Sequence, residues 1–282
     1  MEMPSPTLSL TAFLAFSCLC LAFLSLWLRR DLKIWLTLLG FSLLFGLFEE
    51  NIQWQGVLIT FVWAFLWFYY TKNQKFTVQI FLFLLLVIFS FGFKFHLFPG
   101  FPRTLIGSKF FLGFETPLLG IFPLALLVPL ATKSRAWKEV FSKGLLLSLC
   151  GIALMALLAI ARNTVHLEFK IPTFAPIRYT THLFLIAAAE EGFYRGFVQE
   201  QLTQFFSKIP LGKWGALFVS SLIFAAAHLF WSPNLAILGF TLLAGLLYGW
   251  IYLVTKRIES AILCHFLLNF FHMTFFNYTQ TT

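Results

Sequence analysis

Three short stretches of the chain carry side chains that can move protons. AAAEEGFYRGF holds Glu190, Glu191 and Arg195, SSLIFAAAHLF holds His228, and ILCHFLLNF holds His265 and Asn269. A helix advances about 100° per residue, so Glu191 and Arg195, four apart, stack on one face as a charge-assisted pair with the acid N-terminal to the base. Glu190 is rotated off that axis and is expected to lack this partner. A carboxyl desolvated in this way is poised to act as a general base or acid near neutral pH.

Together these groups suffice for amide hydrolysis by water. Glu190 with His228 can hold and deprotonate a water, and one of them, once protonated, can donate to the leaving amine. His265 and Asn269, one helical turn apart, can donate to the oxyanion of the tetrahedral intermediate. Two plainer readings stand beside this one. Glu190, Glu191 and Arg195 could form a buried polar lock between helices, and each histidine could be a hydrogen-bonded core residue. A divalent metal at Glu190, His228 and His265 is a further alternative. It is disfavoured because the set lacks an i, i+4 histidine pair and asparagine is a poor zinc ligand.

Positioning these residues is a matter for the whole chain. Of its 282 residues, 60% are hydrophobic and 11% charged, where a soluble domain needs roughly a quarter charged side chains. An all-α, polytopic transmembrane helical bundle is therefore expected. Ten apolar segments are long enough to count, near 8–28, 34–48, 57–71, 77–93, 117–132, 144–161, 180–206, 214–231, 235–254 and 260–278. Three of them (34–48, 57–71 and 117–132) are short, so eight to ten spans are expected. The first segment lacks a basic leader and a small-residue cleavage site and reads as a retained span.

If all ten cross, one set of loops carries thirteen Lys and Arg. The other set carries six: Lys94, Arg103, Lys109, Arg162, Lys170 and Arg178. The richer side is then cytoplasmic and both termini lie outside. The bases punctuate apolar runs, which argues for lipid headgroups as partners and against nucleic acid. Loops 94–116 and 162–179 contain Pro99, Pro102, Pro172 and Pro176, which argue against helix there, and they could cap a cavity. Residues 1–179 are read as N-terminal helices of unknown role and 180–282 as the catalytic core.

Several chemistries are excluded. Asp31 is the only aspartate, so a two-aspartate intramembrane protease is impossible. HExxH and GxSG are absent, and Cys18, Cys20, Cys150 and Cys264 lie in apolar runs as small core residues. Glu49 and Glu50 lack a following arginine and read as a solvated loop. His166 and His182 fall near span ends. His272, seven residues after His265 and on its face, is the best supporting histidine. Gly192 and Gly196 let a neighbouring helix approach. Segment 235–254, with Gly239, Gly245 and Gly249, reads as a packing spacer.

EExxxR at Glu190 to Arg195, FxxxH at Phe224 to His228 and HxxxN at His265 to Asn269 occur in that order. With GLLYGWIYLVTKRIESAILCHFLLN leading into the last motif, residues 180–278 resemble the CPBP family. That family groups the type II (Rce1-like) CAAX prenyl proteases with bacterial bacteriocin-processing and immunity (Abi) relatives. The resemblance implies a glutamate-dependent intramembrane endopeptidase without a metal, in a bacterial plasma membrane, acting on a membrane-associated peptide or protein. It implies that Glu190 and His228 activate water, that His265 and Asn269 form the oxyanion hole, and that Glu191 and Arg195 orient the site. A non-catalytic scaffold or immunity-type protein, and a carrier, are the competing readings.

Overall fold

The structure is a computed structural model that describes residues 8–106, 110–229 and 235–278. Lys109 and the end of the 214–231 segment lie outside them. In chain order the elements begin with helices α1 (Leu10–Leu28), α2 (Leu32–Phe48), α3 (Trp54–Lys72) and α4 (Phe76–Lys94). The paired strands β1 (Thr104–Ile106) and β2 (Phe110–Leu112) and helix α5 (Glu115–Leu126) follow. Helix α6 (Ser134–Ala161), strand β3 (Val165–Leu167), α7 (175–205) and α8 (Gly212–Ala226) lead to α9 (Leu235–Thr255), α10 (Ile258–Phe275) and strand β4 (Phe276–Tyr278). Each of the ten apolar segments overlaps one helix, and the helix in 117–132 stops at Leu126.

Among the described residues, five helices are long and apolar enough to cross a membrane: α1, α4, α6, most of α9, and α10. Helices α2, α5 and α8 are apolar but shorter. Helix α3 has 19 residues but carries three Trp and two Tyr, side chains that favour the membrane interface. Outward-facing residues such as Phe61, Phe65, Ile88 and Leu154 are each more than 60% exposed, and a water-facing surface would not present so many.

Local chemistry sets the ends. Ser9 accepts from the Ala12 N–H at 3.1 Å and starts α1, and Asp31 accepts from the Lys33 N–H at 2.8 Å and starts α2. Pro176 corrects the expectation that prolines exclude helix from 162–179. It sits in the first turn of α7, where a missing N–H costs nothing, and α7 begins at residue 175. Of the cysteines, Cys264 alone is buried, while Cys150 is exposed on the apolar α6, so the core assignment holds for Cys264.

Contacts divide the chain into two compact units. The first comprises residues 1–129 and 184–198, the second 130–183 and 199–282. In the first, α1 and α2 pair, with Ser42 Oγ donating to the Ala15 carbonyl at 2.7 Å. Trp63, Trp67, Phe193 and Phe197 form an aromatic core, and Trp63 Nε1 donates to the Leu118 carbonyl at 2.8 Å. Arg30 caps α5 by donating to the carbonyls of Ala125 and Leu124 at 2.9 and 3.2 Å.

Helix α5 meets the 189–196 part of α7 through glycines. A Cβ on Gly120 would lie 1.9 Å from the Ala189 carbonyl oxygen, Gly192 packs on Leu124, and Gly196 packs on Val128. The close approach expected from the Gly192/Gly196 spacing is thus made by α5. Gly120→Val is expected to lower stability by about 1–3 kcal/mol through overpacking, read by thermal unfolding in mild detergent. An unchanged midpoint would show that α5 and α7 do not meet there.

In the second unit, α8 and α9 pack through Gly245, which lies against Phe224 and Ser221, and Gly144 of α6 fits against Ser260 of α10. The backbone between α5 and α6 is not helical, and its Ala131 N–H donates to the buried Glu259 carboxylate at 2.6 Å. Strand β3 pairs antiparallel with β4, with His166 opposite Asn277.

Candidate functional site

In α7, residues Ala189–Phe193 form one regular α turn between wider π turns at His182–Ala188 and Tyr194–Gln199. This short turn carries both glutamates into the interior of the first unit, where Glu190 is 3% exposed and Glu191 and Arg195 are 0% exposed. The Glu191–Arg195 pair expected from the i, i+4 spacing is present, with Nε to Oε2 at 3.2 Å. The Arg195 guanidinium also lies 5.9 Å from the centroid of the Tyr194 ring.

Glu190 is paired across helices. Its Oε1 accepts from the Lys94 ammonium in a buried ion pair. The apolar segment read from the sequence ends at residue 93, with Lys94 in the loop that follows. In fact α4 runs one residue further, and Lys94 is 5% exposed. A buried carboxylate needs a compensating charge, and the neighbouring helix provides it.

In the second unit, His228, His265 and Asn269 line one cavity of about 240 Å³. Phe224 explains the FxxxH spacing. Its carbonyl, four residues before His228, accepts from the imidazole Nδ1–H at 2.7 Å, so Nε2 is the nitrogen that can take a proton. The Phe224 ring touches both imidazoles, with centroids 4.5 Å from His228 and 6.1 Å from His265. Tyr248 stacks on His265 at 4.7 Å and 13°, fixing the plane of that ring.

His272 lines the same cavity, as its spacing from His265 suggests. Thr164 and Val165 also line it, so the 162–179 segment does wall a cavity. On the outer side of this strap, Glu168 is exposed. Hydrogen bonds from Asn277 and His166, with the nearby His166 and Lys170 charges, hold its carboxyl below the usual range.

The structure therefore gathers His228, His265, Asn269 and His272 round one cavity of the second unit, and places Glu190, Glu191 and Arg195 in the first. Helix α9 is more than the spacer expected, since Phe240, Thr241, Ala244 and Tyr248 line the cavity. Sequence reasoning missed Lys94 and Tyr248. Lys94 had a usable signal as the one charged residue of an otherwise apolar helix, whereas Tyr248 looked like any aromatic in an apolar run. Among the described residues, no three His, Cys, Asp or Glu side chains converge as metal ligands would.

The sequence of residues 172–271 matches the family model described as type II CAAX prenyl endopeptidase Rce1-like. The chain carries an Rce1-like domain. No curated protein and no solved structure gives a significant match. The Rce1-like domain includes Glu190, Glu191, Arg195, His228, His265 and Asn269, and leaves out Lys94 and, by one residue, His272. The family implies intramembrane proteolysis of the CAAX type in general. With five helices among the described residues apolar and long enough to span, the Rce1-like domain belongs to a multi-pass membrane protein.

Proposed function

We propose that the protein is an intramembrane endopeptidase of the bacterial plasma membrane. It hydrolyses a peptide bond of a membrane-associated peptide or protein without a metal. Glu190 and His228 take a proton from water as its oxygen attacks the scissile carbonyl. His265 and Asn269 donate hydrogen bonds to the oxyanion, and the proton passes to the amine as the C–N bond breaks. Glu191 and Arg195 orient the turn that bears Glu190. The observation that carries this reading is the His228 imidazole, held by the Phe224 carbonyl with Nε2 as its basic nitrogen, on the cavity shared with His265 and Asn269.

The test uses purified protein in liposomes with a panel of membrane-anchored fluorogenic peptides. Cleavage that survives a strong chelator and falls by about 10²–10³-fold in Asn269→Ala is expected. Loss of cleavage on chelation, restored by zinc, would instead support the metal alternative. A second reading, a non-catalytic scaffold, is favoured by the buried Lys94–Glu190 pair, which can serve as a lock between α4 and α7. It predicts no cleavage of any peptide.

A further inference from the structure

Lys94 stands outside the Rce1-like domain, is the one charged residue of α4, and meets Glu190 in the interior of the first unit. A surface lysine at a helix end would swing freely, but here the turn that bears it is fixed from three sides. The Leu97 N–H donates to the Gly92 carbonyl at 2.9 Å and the His96 N–H to that of Phe93 at 3.3 Å, a closure that ends the helix through a left-handed residue. That residue is His96, with φ +54°, where glycine would be unstrained. A histidine tolerates the position because its side chain is used: Nδ1 lies 2.6 Å from Oε2 of Glu115 on α5. Finally, the Phe98 ring folds back onto Gly92, where a Cβ would lie 2.3 Å from it.

Resting on the protease reading above, we propose that Lys94 is a positioning residue for the reaction. Its ammonium holds the Glu190 carboxylate in one rotamer and balances its charge, so that the acid meets water already oriented and in its proton-accepting form. The N-terminal helices thereby contribute to catalysis as well as to the bundle. A packing lock alone would need the same two charges but would not care how the carboxylate points. That difference is measurable.

The experiment compares steady-state cleavage by the full chain in liposomes, normalised to folded protein. Lys94→Met is expected to lower kcat by about 10- to 100-fold, the usual effect of removing a group that orients a catalytic side chain, with KM within about twofold. Lys94→Arg, which keeps the charge, should recover most of kcat. If the methionine variant does not fold, Lys94→Gln, which keeps a donor without charge, replaces it. The charge swap Lys94→Glu with Glu190→Lys should restore folding and leave kcat at background. An unchanged kcat in Lys94→Met or Lys94→Gln, with Glu190→Gln inactive, overturns the role of Lys94 alone. A wild-type protein that cleaves nothing, or an active Glu190→Gln, overturns the protease reading and this proposal with it.

Discussion

Glu190→Gln is expected to reduce peptide cleavage by roughly 10²–10⁴-fold, the contribution typical of a general base, and His228→Ala to reduce it comparably. Glu190 is ion-paired with Lys94, both are buried, and removing one charge leaves the other uncompensated. Breaking such a pair costs about 3–5 kcal/mol, so a fall in bulk activity could reflect lost protein. The double variant Lys94→Met with Glu190→Gln removes both charges together and should recover folded yield without recovering cleavage. Activity per folded molecule, from active protein counted after size-exclusion in detergent, is the quantity that decides. Substantial cleavage by the double variant would remove Glu190 from the mechanism.

The second large effect is structural. Arg195→Ala should lower the stability of the protein by about 3–5 kcal/mol, because Glu191 has no solvent contact and depends on the guanidinium for charge balance. Replacing both partners with apolar residues, Glu191→Leu with Arg195→Met, should restore most of that loss, since a buried ion pair is close to neutral relative to a well-packed apolar pair. Denaturant titration in mild detergent separates the two outcomes. Equal losses for the single and double variants would mean that packing around α7, rather than charge compensation, sets its stability.

How much of this was legible in the sequence depends on the range of the interaction. Helix positions follow from local hydropathy, and all ten segments were readable. The Glu191–Arg195 pair and the shared face of His265 and Asn269 follow from helical periodicity alone. Even the His228 anchor is local, because an i, i+4 bond to the Phe224 carbonyl lies within one turn.

What could not be read joins residues far apart in the chain. Helical periodicity turns Glu190 away from Arg195 on its own helix but says nothing of Lys94, 96 positions away, which supplies its cation. The stacking of Tyr248 on His265 and the capping of α5 by Arg30 are equally non-local. Pro176 was misread for a different reason, since the same residue breaks a helix interior and starts a helix, depending on where the helix begins.

The π turns on either side of Ala189–Phe193 bear on how this region tolerates change in length. A π turn closes over one more residue than an α turn, so each stretch holds a residue that a regular spiral would not need. Deleting a single position within 194–199 would let the backbone close as an ordinary α turn with the residues beyond it facing as before, whereas the same deletion in a regular α-helix would turn them by about 100°. Chains descended from a common ancestor with this one should therefore place one-residue gaps within 182–188 or 194–199 and keep the five residues between them intact.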